Sequence, residues 1–188
     1  MNGLRLGTWT WDMPLIEDQT RRLQLVELTE TAPEEFLTQA RELLLEYGRF
    51  VISQPAAARF CFGALEKEAA RLPVSYHEQG GGALVGLVDG APAGFVAWRK
   101  APGEFADHAW ELKRLWVRPL GRGTGLGRAL TQAVLDRAVV AGQKAVYLDT
   151  VPTAMSTAHR LYLAMGFKPC APYNDNPVES LDYLRKDL

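Results

Sequence analysis

The chain predicts a mixed α/β sheet with helices on both faces, and three observations carry that prediction. Strand-like and helix-like runs alternate through the second half, which demands parallel strands bridged by a helix. Two β-compatible runs meet at Asp89-Gly90, a two-residue turn signal that demands a hairpin. Ala145 to Thr150 is nearly all apolar, as in a strand buried on both faces.

The elements follow in order. Arg22 to Leu28 alternates toward a first strand. Thr31-Ala32-Pro33-Glu34 reads as a helix start: Thr31 can cap, Pro33 fits the first turn and Glu34 completes a capping box. Phe36, Leu37, Ala40, Leu43, Leu44 and Tyr47 recur at helical spacing, and Gly48 ends the run. A second helix is expected from near Pro55 to Leu72, with Ala57, Cys61, Ala64, Leu65 and Leu72 on its buried side and Pro73 as its stop. Ala83 to Val88 and Ala93 to Arg99 form the hairpin, and Trp110 to Val117 is the next strand. A helix then runs to about Ala141, with Leu126, Leu130, Ala133, Val134, Ala138 and Ala141 on one face and Gly142 at its end. After Ala145 to Thr150 comes a shorter helix, Thr153 to Met165. Phe167 to Cys170 and Leu181 to Leu184 are the last strands, around a loop from Ala171 to Ser180. The order is β-α-α-β-β-β-α-β-α-β-β. Residues 22 to 188 read as one domain. Residues 1 to 21 are irregular and expected to fold onto it, because Trp9 and Trp11 are costly to leave in water.

The segment Arg122-Gly123-Thr124-Gly125-Leu126-Gly127 lies between a strand and a helix. Its glycines let the backbone approach a ligand, and the unpaired N–H groups and dipole of the helix start favour an anion, phosphate above all. Arg122 and Arg128 add full charges. The spacing fits neither a P-loop nor a dinucleotide fingerprint: the positions that need glycine hold Leu126, Arg128 or Leu130.

Composition narrows the classes. A chain of 188 residues can bury roughly 70% of its unfolded-chain surface. Its net charge of −1 gives no basic field for nucleic acid or an anionic membrane. No apolar run reaches transmembrane length, and no secretory signal is read at the start, so a cytoplasmic protein is the expectation. Cys61 and Cys170 cannot make a disulfide framework and read as reduced core thiols. His77 and His108 stand apart without paired carboxylates or thiolates at ligand spacing, so no metal is expected.

Four segments in order, Glu111 to Val117, Arg122 to Gly127, Leu148 to Thr150 and Leu161 to Phe167, resemble the GNAT N-acetyltransferases. The resemblance covers about residues 22 to 188. It implies the GNAT fold with a splayed central strand pair and acetyl-CoA (coenzyme A) as cosubstrate. It implies main-chain contacts to pantetheine from Leu115, Trp116 and Val117. It also implies a pyrophosphate site made by Arg122, Gly123, Thr124, Gly125, Leu126, Gly127 and Arg128. Lys113 or Arg114 could meet the 3′-phosphate, though a solvated strand face is the plainer reading. The acceptor would be a primary amine on a small molecule or peptide, and a homodimer is a further expectation.

N-acetyl transfer requires a base for the amine, a donor for the oxyanion and an acid for the departing thiolate. Glu111 matches the strand glutamate that serves as base in some family members. Its strand parity is that of Val117, so both would project to one side of the sheet. A salt-bridged glutamate, or a water carrying the proton, are the alternatives. Tyr162 matches the tyrosine that reaches the cofactor sulfur, and a phenol with pKa about 10 can donate to a thiolate. An ordinary core tyrosine is its alternative. The Val117 N–H is the oxyanion donor by resemblance. His159 reads as a surface or capping histidine. Ser156 and Thr157 lack a nucleophile elbow, which favours direct transfer. The resemblance further implies that Phe50 to Gln54, the loop before Glu111 and the loop Pro172 to Pro177 would line the acceptor side. In that last loop Asp175 could hold an ammonium under Tyr173, unless these residues serve only as turn chemistry. A non-catalytic acyl-CoA sensor and a protein-modifying enzyme with an open groove are the competing functions.

Overall fold

The computed structural model describes residues 21–55, 62–178 and 180–188. They form a seven-stranded sheet in the order β1-β2-β3-β4-β5-β7-β6. The strands are β1 (Leu23–Glu27), β2 (Gly82–Val88), β3 (Ala91–Lys100), β4 (Ala109–Val117), β5 (Ala145–Thr150), β6 (Lys168–Pro169) and β7 (Asp182–Asp187). The helices are α1 (Glu34–Ile52), α2 (Phe62–Ala70), α3 (Val74–His77), α4 (Leu126–Val140) and α5 (Ser156–Ala164). Only β4 and β5 pair in parallel, which is where α4 bridges the strands. The expected mixed sheet is the observed one.

Asp89 and Gly90 have φ of 52° and 83°, the left-handed pair that a tight β2–β3 hairpin needs. One face of the sheet packs α4 and α5, with Leu126, Leu130 and Val134 against Leu84, Val96 and Leu148. The other face packs α1, α2 and α3, with Leu43, Leu44, Leu65 and Tyr76 against Val85, Phe95 and Ala97.

Several local expectations are corrected. Thr31 does not cap α1. The N–H groups of Phe36 and Leu37 both reach the Pro33 carbonyl (2.9 and 3.0 Å), so Pro33 is the N-cap and Thr31 lies outside the helix, bonded to Thr29. Gly48 does not end α1, which continues to Ile52. A Cβ at Gly48 would sit 2.2 Å from Leu65 Cδ2, so the missing side chain lets α2 approach. α2 ends at Ala70, before the expected Leu72, and Pro73 is the N-cap of the single turn α3, which the sequence reading omitted. The expectations for Trp9, Trp11, Ala57 and Cys61 lie outside the described residues.

Two features of β4 position the site. Its ladder with β3 steps from Ala97↔Lys113 to Phe95↔Trp116, so Val96 opposes two residues and Arg114 takes φ 61°. This bulge reverses the side-chain alternation. Leu112, Leu115 and Val117 face α4, while Trp116 packs with the α1 side. The parity expected to put Glu111 and Val117 on one side is therefore wrong: an extra residue stands between them. The second feature is the splay. β4 and β5 pair only from Ala109↔Ala145 to Glu111↔Tyr147, whereas β5 pairs with β7 along its full length.

Candidate active site

Beyond Glu111 the two parallel strands part, and the turn that starts α4 closes the far end of the opening. Arg118 anchors that end. Its N–H donates to the Ala93 carbonyl of β3 (2.8 Å), and its guanidinium holds Glu46 at 2.8–3.1 Å. Because Arg118 turns its N–H to β3, the main-chain N–H of Val117, one residue earlier, turns to the open edge. The Val117 carbonyl accepts from Arg122 Nε at 3.2 Å, and the Arg122 guanidinium lies 5.7 Å from the Trp116 ring. Trp116 itself is fixed to α1 through Nε1 to Glu46 (3.1 Å).

The glycine turn leads from this edge into α4. Gly125 is the N-cap with φ 85°, a conformation L side chains rarely adopt, and it supplies no side-chain cap. Thr124 donates its hydroxyl to the Gly121 carbonyl at 2.7 Å. The N–H groups of Gly125, Gly127 and Arg128 have no protein acceptor among the described residues. The structure thus brings Leu115, Trp116 and Val117 to one edge and Arg122 to Arg128 to its end.

The vertex of the opening is Glu111, which is fully buried at 0% exposure. Its carboxylate accepts from Arg99 Nε (2.6 Å), Lys113 Nζ (3.1 Å), the Tyr173 hydroxyl (3.1 Å) and Asn174 Nδ2 (3.3 Å). Burial alone would raise its pKa. The adjacent Lys113 and Arg99 charges outweigh burial and hold it below the usual carboxylate range. Lys113 is not on a solvated face: its side chain is 14% exposed, and burial, partly offset by Glu111, pulls its pKa down. Arg114 is also turned inward by the bulge, onto Glu68 of α2 (3.1 and 3.2 Å) and over the Tyr47 ring of α1. Tyr76 bonds the same Glu68.

The opposite wall is β5 with the loop before β7. Asp149 Oδ2 accepts from Asn174 Nδ2 (2.9 Å) and Asn176 Nδ2 (3.0 Å). Asn174 therefore bridges Asp149 and Glu111. Asp175 points to solvent, so the loop turns amides inward and its carboxylate outward, contrary to the ammonium role considered for Asp175. Tyr173 is buried against Glu111 rather than covering Asp175. Tyr162 of α5 is buried and meets Phe167 edge-on at 5.6 Å. Burial first, then Tyr47 and the Asp149 charge, push its phenol pKa far up, so it stays protonated. His159 pairs with Asp182 at 2.9 Å and ties α5 to β7, in keeping with a surface role.

Sequence reasoning gave Asp149 and Asn174 no individual role, and for Lys113 offered only the 3′-phosphate or a solvated face. The segment Leu148-Asp149-Thr150 stood out only as a stretch; the carboxylate in it becomes distinctive when the loop amides arrive. Among the described residues, no group of His, Cys, Asp or Glu is placed to hold a metal ion, and no helix is long and apolar enough to cross a membrane.

Known proteins resemble the chain in sequence and in fold. An uncharacterized N-acetyltransferase of Schizosaccharomyces pombe is 38% identical over 78 residues, covering 42% of this chain and 47% of that protein. Human N-acetylaspartate synthetase is 32% identical over 121 residues, covering 64% of this chain and 39% of that one. The chain spans less than half the length of these curated relatives. A Salmonella typhimurium protein solved with its cofactor acetyl-CoA shares the fold, with a TM-score of 0.61 at 18% identity over 88% of this chain and 93% of that chain. The family model described as Acetyltransferase (GNAT) family matches residues 25–167, most of the sequence, and the chain belongs to the GNAT acetyltransferase family.

Proposed function

We propose that the protein is an N-acetyltransferase that moves an acetyl group from acetyl-CoA directly to a primary amine. One observation carries this reading: the uncapped glycine turn of α4 abuts the point where β4 and β5 separate. An anion site at the end of an open strand edge suits a diphosphate with a long amide-bearing arm.

The residues fit that ligand. The free N–H groups of Gly125, Gly127 and Arg128, with the charges of Arg122 and Arg128, would hold the diphosphate, each charge-assisted bond contributing about 1.5–3 kcal/mol. The main chain of Leu115 to Val117 would orient the arm. When bound, acetyl-CoA supplies an activated thioester. The Val117 N–H donates to the carbonyl oxygen as negative charge builds there. The protonated Tyr162 hydroxyl gives its proton to the departing sulfur. Glu111 takes no proton in this reading. Four donors already occupy its carboxylate, and two of them are cations that keep it ionised. It orders the vertex instead.

The acceptor would enter from the α1–α3 face, between Lys113 and the Asn174 loop. Human N-acetylaspartate synthetase, by its name, makes an N-acetylated amino acid, so L-aspartate belongs in the first panel of acceptors beside peptide N-termini and simple primary amines. Coenzyme A is expected to raise the melting temperature by binding only the folded protein. At least one panel amine should then release free thiol from acetyl-CoA. Binding without thiol release for any amine would favour the acyl-CoA sensor instead, and no binding would overturn both readings.

A further inference from the structure

We infer that Asp149 is the catalytic base: its Oδ1 receives the ammonium of the acceptor and takes the first proton from it. The inference rests on the acetyltransferase reading and names the group that reading leaves open.

The carboxylates around the opening differ in what already occupies them. Glu111 is saturated by two cations, a phenol and an amide. Glu68 is taken by Arg114 and Tyr76. Asp175 is turned to solvent. Asp149 alone in this group is held by neutral donors only, and both arrive at one oxygen, Oδ2. Its Oδ1 has no donor among the described residues. Two amides fix the rotamer through Oδ2, so Oδ1 is left without a hydrogen-bond donor among the described residues.

Its position matches the task. Asp149 lies two residues past Tyr147, the last β5 residue paired to β4, and so at the mouth of the opening. It has the parity of Tyr147, whose ring packs on Tyr173, which places it on the acceptor face with Glu111. Tyr162 shares the α4-side core with Leu148, the residue before Asp149, and its phenol feels the Asp149 charge. Asp149 and Tyr162 thus lie on opposite faces of the sheet near the same stretch of β5.

The protons balance. The ammonium loses two protons and its nitrogen forms the new bond to the acetyl carbon, while the carbon–sulfur bond breaks. One proton passes to Asp149 Oδ1 and out to solvent. Tyr162 gives its proton to sulfur, and the second amine proton restores the phenol. The net release is one proton.

Two measurements decide the matter. For the panel amine that the wild-type protein acetylates best, Asp149→Asn should lower kcat/KM by about 10²-fold or more, with coenzyme A affinity unchanged and Asp149→Glu partly active. Turnover by Asp149→Asn within about threefold of wild type would overturn the inference, since a base contributes far more. The second measurement needs no turnover. Propylammonium titrated into the wild-type protein, with and without coenzyme A, should shift the side-chain amide NMR signals of Asn174 and Asn176, and neutral propanol should not. Unmoved amides overturn the inference whatever the kinetics. If the amides move but no amine is acetylated, the acetyltransferase reading fails and the ammonium site at Asp149 stands.

Discussion

The two walls of the opening in the sheet are built from different material. The wall made by β4 and the start of α4 presents main chain: the Val117 N–H, the Val117 carbonyl and the free N–H groups of the glycine turn. The wall made by β5 and the loop before β7 presents side chains: Tyr173 and Asn174 on Glu111 at the vertex, and Asn174 and Asn176 on Asp149. A main-chain wall tolerates changes of side chain wherever φ stays negative. A side-chain wall depends on each polar atom, because a buried donor or acceptor that loses its partner is costly.

The sharpest way to break that contrast is Glu111→Ala. It leaves Arg99, Lys113 and the Tyr173 hydroxyl without their shared acceptor, so the protein should lose about 3–5 kcal/mol in urea unfolding. A loss under about 1 kcal/mol, the range of exposed ion pairs, would show that the vertex is not what holds the walls together. The pH dependence has a fixed sign. Because the folded pKa of Glu111 lies below the ordinary carboxylate value of 4.5, its contribution is complete above that value and declines as pH falls through 4.5 toward the folded pKa. Glu111→Gln should therefore show a shallower acid loss of stability than wild type.

Tyr162→Phe sharpens the comparison from the side of chemistry. It removes one proton donor and leaves both walls standing, so kcat should fall about 10²-fold with coenzyme A affinity unchanged. If affinity falls and kcat does not, Tyr162 belongs with the binding wall. Gly125→Ala is the smallest of the three. A Cβ there meets no atom within 4 Å, so only the φ of 85° opposes it. Stability should drop by about 1–2 kcal/mol, or coenzyme A should bind about 10-fold more weakly if the turn relaxes instead. Calorimetry and isothermal titration separate those outcomes, and no effect on either would mean that the turn does not need its glycine.

The same contrast explains what could be read from the sequence. The glycine turn was legible because the phosphate-binding chemistry of a main chain leaves a local mark: positions where φ must be positive select glycine. The Asp89-Gly90 hairpin and the apolar β5 were legible for equally local reasons. The vertex was not. Glu111 meets Arg99, Tyr173 and Asn174 from segments far apart in the chain, and no spacing rule joins them. The bulge was hidden as well, since Arg114 at φ 61° carries no glycine or asparagine to announce it, and one extra residue was enough to reverse the parity argument. Gly48 misled for a related reason. It was read as a helix end when tertiary packing of Leu65 demanded a missing side chain in mid-helix.

The short ladder between β4 and β5 also has a mechanical consequence. Tension applied between Leu23 and Asp187 would run across the sheet from one edge strand toward the other, loading each ladder in turn. The weakest line is the seam of three rungs from Ala109 to Glu111, against six between β5 and β7. In a pulling experiment the molecule should tear there first, into an N-terminal leaf carrying the glycine turn and a C-terminal leaf carrying Asp149.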